Sequence, residues 1–203
     1  MKIALIGSTG NVGSRVAAEA LSRGHAVTGI SRHPEKQSAK PGLTAARGDA
    51  ADAAGLPAVL AGHDVVVSST RFAGSDARAL VVAVKKAGVK RLLVVGGAGS
   101  LEAAPGVALI DAPEFPAAYK PEAAAGRDFL HALRGERELD WTFLSPSAFF
   151  GPGERTGKFR VGGDALLVGA DGRSRISIED YALALVDELE TPRHSRRRFT
   201  VGY

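Results

Sequence analysis

The stretch "MKIALIGSTGNVGSRVAAEAL" (residues 1–21) sets three glycines, Gly7, Gly10 and Gly13, between an apolar run and a helical pattern. Residues 2–6, "KIALI", have the length and character of a strand, and Val12, Val16, Ala20 and Leu21 then recur at helical spacing. Where a strand feeds a helix through such a turn, the first helical amides have no partner inside the helix, and the helix dipole adds positive potential. Glycines let an anion reach that place. Gly7 permits the tight turn, Gly10 lets phosphate approach the backbone, and Gly13 lets the helix pack close to the strand. Ser8, Thr9, Asn11 and Val12 complete the predicted pyrophosphate cradle. The other common phosphate loop, G-x-x-x-x-G-K-[ST], is absent, which argues against a P-loop NTPase.

Beyond the cradle, strand and helix patterns alternate. Predicted strands cover 25–31, 43–49, 64–70, 90–97 and 139–150, and predicted helices cover about 55–61, 76–88, 119–134 and 178–190. Gly24 and Gly88 stand where C-terminal helix glycines belong. Ser177 suits the N-cap of the last helix and Asp180 its dipole. Strands apolar on both faces, alternating with helices, predict an α/β fold: a Rossmann-type, doubly wound, mostly parallel sheet with helices on both faces. Residues 1–203 read as a single domain. Within it, 98–118, with three prolines and little periodicity, forms a substrate-side loop, and 149–175 a small C-terminal substrate-side extension. Short strands with turns at Gly162-Gly163 and Asp171-Gly172 are expected in 157–177, and "RRFTVGY" as a last strand.

The 203 residues are 45% hydrophobic and 24% charged, an ordinary globular balance. The net charge of +4 gives little support to nucleic-acid binding and fits a basic pocket for a phosphorylated small molecule equally well. The basic cluster "RHSRRR" (Arg193 to Arg198) reads as the solvated flank of the last strand. There is no cysteine, so disulfides and thiolate metal sites are excluded. His25, His63 and His131 read as structural and His194 as part of the basic tail; with no H-E-x-x-H spacing, no metal site is expected. G-x-S-x-G is absent too, which argues against a Ser/His/Asp hydrolase. No apolar run approaches the roughly 20 residues of a membrane span, and the start lacks a signal-peptide pattern, so a cytoplasmic protein is expected.

The glycine spacing, G-x-x-G-x-x-G, is one residue off the common dinucleotide fingerprint. Taken in order, "GSTGNVG", "SRHPEK", "GDAAD", "VVVSST" and "VVGGAGSL" resemble the atypical short-chain dehydrogenase/reductases. Within that group the sequence is similar to the small NAD(P)H-binding branch that holds NmrA-like and biliverdin-reductase-B-like (flavin reductase) proteins. The resemblance spans nearly the whole chain. Its motifs are specific for fold and cofactor and poor for substrate. It implies that Asp49, with Ala50, faces the adenine amino group, although Asp49 fits a plain turn aspartate equally well. It also implies that Ser68, Ser69, Thr70, Gly96 and Gly97 line the ribose and nicotinamide, and that Pro146 and Ser147 border the nicotinamide ring.

The choice of dinucleotide follows from charge. NAD selectivity usually needs a carboxylate about 20 residues past the glycines, for the ribose 2′-OH. Here "GISRHP" offers Ser31 and Arg32 and no acid. The planar fork of Arg32 suits a 2′-phosphate, with His33 beside it. NADP(H) is therefore expected in preference to NAD(H).

The wider family's Tyr-x-x-x-Lys pair is missing. Tyr119 is followed four later by Ala123, and Tyr181 by Leu185. Lys120 is adjacent to Tyr119, and neighbours on a helix point about 100° apart. Ser100 and Tyr119 are the remaining catalytic candidates, Ser100 as a hydrogen-bond donor to a substrate carbonyl. Hydride transfer to a flat acceptor, such as a flavin or quinone, mainly requires stacking on the nicotinamide, with protons from water. The expected partner is thus a small-molecule substrate, with no nucleic acid or membrane, on a monomer or small homo-oligomer. A non-catalytic NADP(H) sensor of NmrA-like type is the alternative. A sugar-nucleotide epimerase or dehydratase ranks third.

Overall fold

Strands that are apolar on both sides have no face to give to water, so they must lie between two helical layers. In the computed structural model, which describes residues 1–203, the chain does this with β1 (Lys2–Ile6), β4 (Val65–Ser68), β5 (Arg91–Val95) and β8 (Asp140–Ser145), all buried over nearly their whole length. Outside them lie β2 (Ala26–Ser31) and β3 (Leu43–Arg47) on one side, and β12 (Arg197–Gly202) and β10 (Arg160–Gly162) on the other. The order across the eight-stranded sheet is β3-β2-β1-β4-β5-β8-β12-β10. All neighbours run parallel except β10, which is antiparallel to β12. Strand order reverses between β1 and β4, and that is where open α/β sheets bind ligands, at the carboxyl ends of the strands. The predicted Rossmann-type fold is the observed one.

Side chains alternate across the sheet and feed two cores. Ala4, Ile6, Val66, Leu92 and Phe143 pack under α2 (Leu56–Leu60), α3 (Ala77–Lys86) and α4 (Lys120–Arg134). Ile3, Leu5, Val67, Leu93 and Leu144 pack under α1 (Asn11–Ser22) and α5 (Ile178–Glu190). Ser177 caps α5 as its sequence position suggests, its Oγ accepting the Asp180 amide at 3.0 Å.

Three expectations change. The predicted strand 139–150 is cut at Pro146, which has no amide to give a central ladder. Beyond it β9 (Phe149–Gly151) pairs instead with β11 (Arg175–Ser177) in a small separate sheet. Within the 98–118 loop, β6 (Glu102–Ala104) and β7 (Val107–Ala108) form a short hairpin turned by Gly106 at φ +74°. Strand β4 stops at Ser68, so Ser69 and Thr70 lie in the loop after it.

A buried carboxylate ties the second helical layer together. Glu19 of α1 accepts two bonds from Arg155, at 2.8 and 2.9 Å, and one from Arg23, which also reaches Asp187 and Glu190 near the end of α5. The Arg155 guanidinium holds the Glu19 carboxyl below the usual carboxylate range; burial opposes this, and Arg23 adds to it. A carboxyl whose folded value is depressed stabilises above its unfolded value of about 4.3 and loses that contribution as pH falls through the folded value. Glu19→Gln is therefore expected to cost about 1–2 kcal/mol at pH 7, allowing for the half-exposed Arg155. Thermal melts of the two proteins should converge as pH falls below the unfolded carboxylate value and through the lower folded one.

Candidate functional site: a glycine cradle and an aromatic cleft

The three glycines meet three different constraints. Gly7 has φ +82°, and its amide donates to Ile30 O at 2.8 Å, which bends the chain off β1. A Cβ on Gly7 would lie 2.3 Å from Ser69 O, because the loop after β4 crosses directly above it. A Cβ on Gly13 would lie 2.2 Å from Gly7 O, so α1 sits against the turn with no room for a methyl. Gly10 is the N-cap of α1, extended, with no side-chain bond to the helix and no acid in the first turn. Thr9, Gly10 and Asn11 are exposed and Val12 is half-buried, which leaves the helix start open to an anion.

Ser8 is turned inward. Its hydroxyl donates to Gln37 Oε1 at 3.0 Å, away from the helix start. The Gln37 carboxamide fills the place of the side chain that Gly29 lacks, since a Cβ there would lie 2.3 Å from Gln37 Nε2.

The other predicted residues follow the carboxyl ends of β2, β3, β4, β5 and β8, on the same edge of the sheet as the cradle. Arg32, just past β2, is exposed and takes part in no ion pair or hydrogen bond. His33 Nδ1 lies 3.1 Å from Glu35 Oε1, an acid the "GISRHP" reading stopped short of. Asp49 Oδ1 accepts the Ala51 amide at 3.0 Å, the bond of a turn aspartate, with half-buried Ala50 between them. Ser68 Oγ is 3.2 Å from Thr70 Oγ1, and the Ser69 amide donates to Ile6 O at 2.9 Å. The Gly96 amide donates to Leu144 O at 2.8 Å, and a Cβ there would meet that same oxygen at 2.6 Å. Tyr181, fully buried beneath, donates to Leu144 O at 2.6 Å; burial pushes its phenol up, so it is a structural hydroxyl. The Ser147 hydroxyl is likewise turned into the sheet, donating to Val201 O at 2.9 Å.

Gly96 and Gly97 also line a cleft of about 700 Å³. Phe72, Phe115, Tyr119, Phe149 and Pro146 line it, with Ser100 on one wall. Phe72 is anchored by Phe129 and Phe143, at centroid distances of 5.2 and 5.8 Å. Tyr119 and Phe149 stand 66% and 69% exposed. Another cleft, of about 730 Å³ beside β9 and β11, shares Phe149 and Phe150 with the first and touches none of the predicted cofactor residues. No three His, Asp or Glu side chains converge as a metal site would require.

A sequence model of the family described as NAD(P)H-binding matches residues 7–192. The chain belongs to this family. It is 41% identical to the uncharacterized protein YwnB of Bacillus subtilis, over 99% of this chain and 98% of YwnB. Among solved structures, a Burkholderia pseudomallei protein proposed to be exported is 49% identical, with TM-score 0.92 over the full length of both chains. A proposed epimerase from Bacteroides thetaiotaomicron is 44% identical, with TM-score 0.95 over 100% of this chain and 96% of its own. A Streptococcus pneumoniae protein proposed to be an NADH-flavin reductase is 35% identical, with TM-score 0.85 over 100% and 99%.

In this NAD(P)H-binding protein, three side chains at the site had no clear sequence signal. Gln37 is foreshadowed only by a glycine in mid-strand, Gly29. Glu122, in the first turn of α4, accepts the amides of Phe72 at 2.7 Å and Ala73 at 3.0 Å, fixing the loop after β4 beneath the cleft. Arg198, which the basic cluster places on a solvated flank, is instead buried. Its Nη1 donates to Ser100 Oγ at 3.1 Å, and its other nitrogens bond Asp164. Burial lowers the Arg198 guanidinium from its ordinary value and Asp164 works against that, so it remains a cation. By contrast the hydroxyl of Tyr119, a residue 66% exposed, makes no hydrogen bond within the chain.

Proposed function

We propose that this protein is an NADP(H)-dependent reductase that passes hydride to a small planar redox acceptor, with flavins and quinones as candidates. One observation carries the reading: an aromatic-lined cleft begins at Gly96 and Gly97, just past the carboxyl end of β5, on the same edge of the parallel sheet from which the glycine cradle leaves β1. When bound, NADPH supplies the hydride. The chain's part is to hold and orient. The cradle amides take the pyrophosphate, and Arg32, with no internal partner, takes the 2′-phosphate. Glu35 occupies His33, which leaves Arg32 as the main determinant of NADP(H) over NAD(H). Ser68, Ser69, Thr70, Pro146 and the backbone around Ser147 shape the ribose and nicotinamide end, and Asp49 keeps its second oxygen for adenine. Tyr119 and Phe149 flank the acceptor. We take residues 1–203 as one domain with 98–118 and 149–175 on the substrate side, acting as a monomer or small homo-oligomer in the cytoplasm.

NADPH oxidation, followed with riboflavin, FMN and naphthoquinone as acceptors, tests this. Turnover of about 1 s⁻¹ or faster with at least one acceptor is expected. Tight NADPH binding with no turnover across the panel would count against it. That result would favour a sensor, the second reading, which the partnerless Tyr119 supports. A sensor should hold NADPH and NADP⁺ with similar affinity.

A further inference from the structure

Ser100 and Arg198 are 98 residues apart in sequence and meet at the wall of the cleft. Arg198 lies on β12, with its side chain only 3% exposed. Its Nε donates to Asp164 Oδ1 at 2.8 Å, and Nη2 reaches the same carboxylate. Asp164 is itself held, accepting Arg134 Nη2 at 3.1 Å on its side chain and the Glu102 amide at 2.9 Å on its carbonyl. A planar guanidinium gripped in this way has one orientation. Its remaining arm, Nη1, donates to Ser100 Oγ.

A serine hydroxyl offers one donor and two acceptor positions, and a guanidinium accepts nothing. With Arg198 occupying one lone pair, the Ser100 hydrogen must turn away from Arg198, and no protein acceptor receives it. What remains on that side is the cleft. A buried cation beside a cleft-facing hydroxyl also favours any oxygen there that gathers negative charge. Burying a guanidinium is costly, and an apolar residue beside Phe143 would serve packing better.

We propose that Arg198, held by Asp164, is a positioning residue that makes Ser100 a directed hydrogen-bond donor to a carbonyl oxygen of the molecule in the cleft. The acceptor class is thereby a ring bearing a carbonyl, as in quinones and flavins. This rests on the reductase reading and narrows its substrate. It also supplies, from a distant strand, a polar partner where the Tyr-x-x-x-Lys pair is missing.

The test uses the full chain with Ser100→Ala, Arg198→Met, Arg198→Lys and the Ser100→Ala/Arg198→Met double variant. Riboflavin affinity is read by fluorescence quenching in the presence of NADP⁺, turnover by NADPH oxidation, NADPH affinity by nucleotide fluorescence, and folding by thermal melting. Ser100→Ala and Arg198→Met are each expected to lower kcat about tenfold or more, with a smaller rise in KM and an equally small weakening of riboflavin binding, alike in the two variants. The double variant should be no worse than either single one. Arg198→Lys should recover part of the loss, and NADPH affinity should stay within about twofold, since Arg198 lies outside the cradle. Losses that multiply in the double variant, or an Arg198→Met protein that matches wild type, would overturn the proposal. If Arg198→Met melts early, Arg198→Lys combined with Ser100→Ala gives the same coupling in a folded chain. A wild type that binds riboflavin without turnover removes the reductase reading alone, and the affinities still decide the Arg198–Ser100 link. A wild type that neither binds nor reduces riboflavin or naphthoquinone removes both.

Discussion

Gly13→Ala should lower stability by about 2–3 kcal/mol and weaken NADPH binding on the order of a hundredfold. The added methyl would sit 2.2 Å from Gly7 O, 2.9 Å from Gly7 C and 3.1 Å from the Ser8 Cα. All three are backbone atoms, so no rotamer change relieves the clash; either α1 lifts off β1 or the turn deforms. Both movements shift the amides that the cradle offers to phosphate, and charge-assisted bonds are lost together. Gly10→Ala is a built-in comparison. Its methyl would meet Gly7 O at 3.3 Å, a tight contact that small shifts can absorb. Urea melts and NADPH fluorescence titration on the two variants should separate them clearly. A Gly13→Ala protein with wild-type affinity would remove the cradle from the nucleotide site.

Arg32→Glu should cut NADPH affinity by about a hundredfold and change NADH affinity less than about threefold. The wild-type guanidinium is exposed and uncommitted, so no internal bond has to break before it can grip a 2′-phosphate. The substitution removes that grip and sets a carboxylate against the same dianion, while a bare 2′-hydroxyl has nothing to repel. Stability should hardly change, because nothing in the fold leans on the side chain. The ratio of the two affinities is therefore the measurement. Equal losses for both nucleotides would mean that Arg32 does not read the 2′ position.

How much of this was legible in sequence depended on range. Gly7, Gly10 and Gly13 could be read from their neighbours, because strand, turn and helix are all local and each glycine answers to an adjacent constraint. Sheet class followed from strands such as "VVV" and "LLVV" that spare no residue for water. Boundaries failed where one residue outweighed a trend, as Pro146 did by ending β8 inside an apolar run. The site was least legible on its cleft side. Arg198 looked like one arginine among several because a charge run carries no mark of which member turns inward. Only the pairing of β12 with β8, which sets Arg198 opposite Phe143, puts it under the loop that holds Ser100. Asp49 could be read two ways, and the structure shows the turn bond without removing the other role.

The long separation between Ser100 and Arg198 also has a meaning in time. Every strand that frames the glycine cradle, from β1 to β5, is made within the first 95 residues. The 98 residues from Ser100 to Arg198 need about 5–20 s more at ribosomal rates of about 5–20 residues per second. A growing chain thus holds the parts of the NAD(P)H-binding turn well before the Ser100 wall of the cleft can close, because β12 must first slot in between β8 and β10. The two halves of the site differ in age within each newborn molecule, and a chain cut short before β12 keeps the sequence of the older half alone.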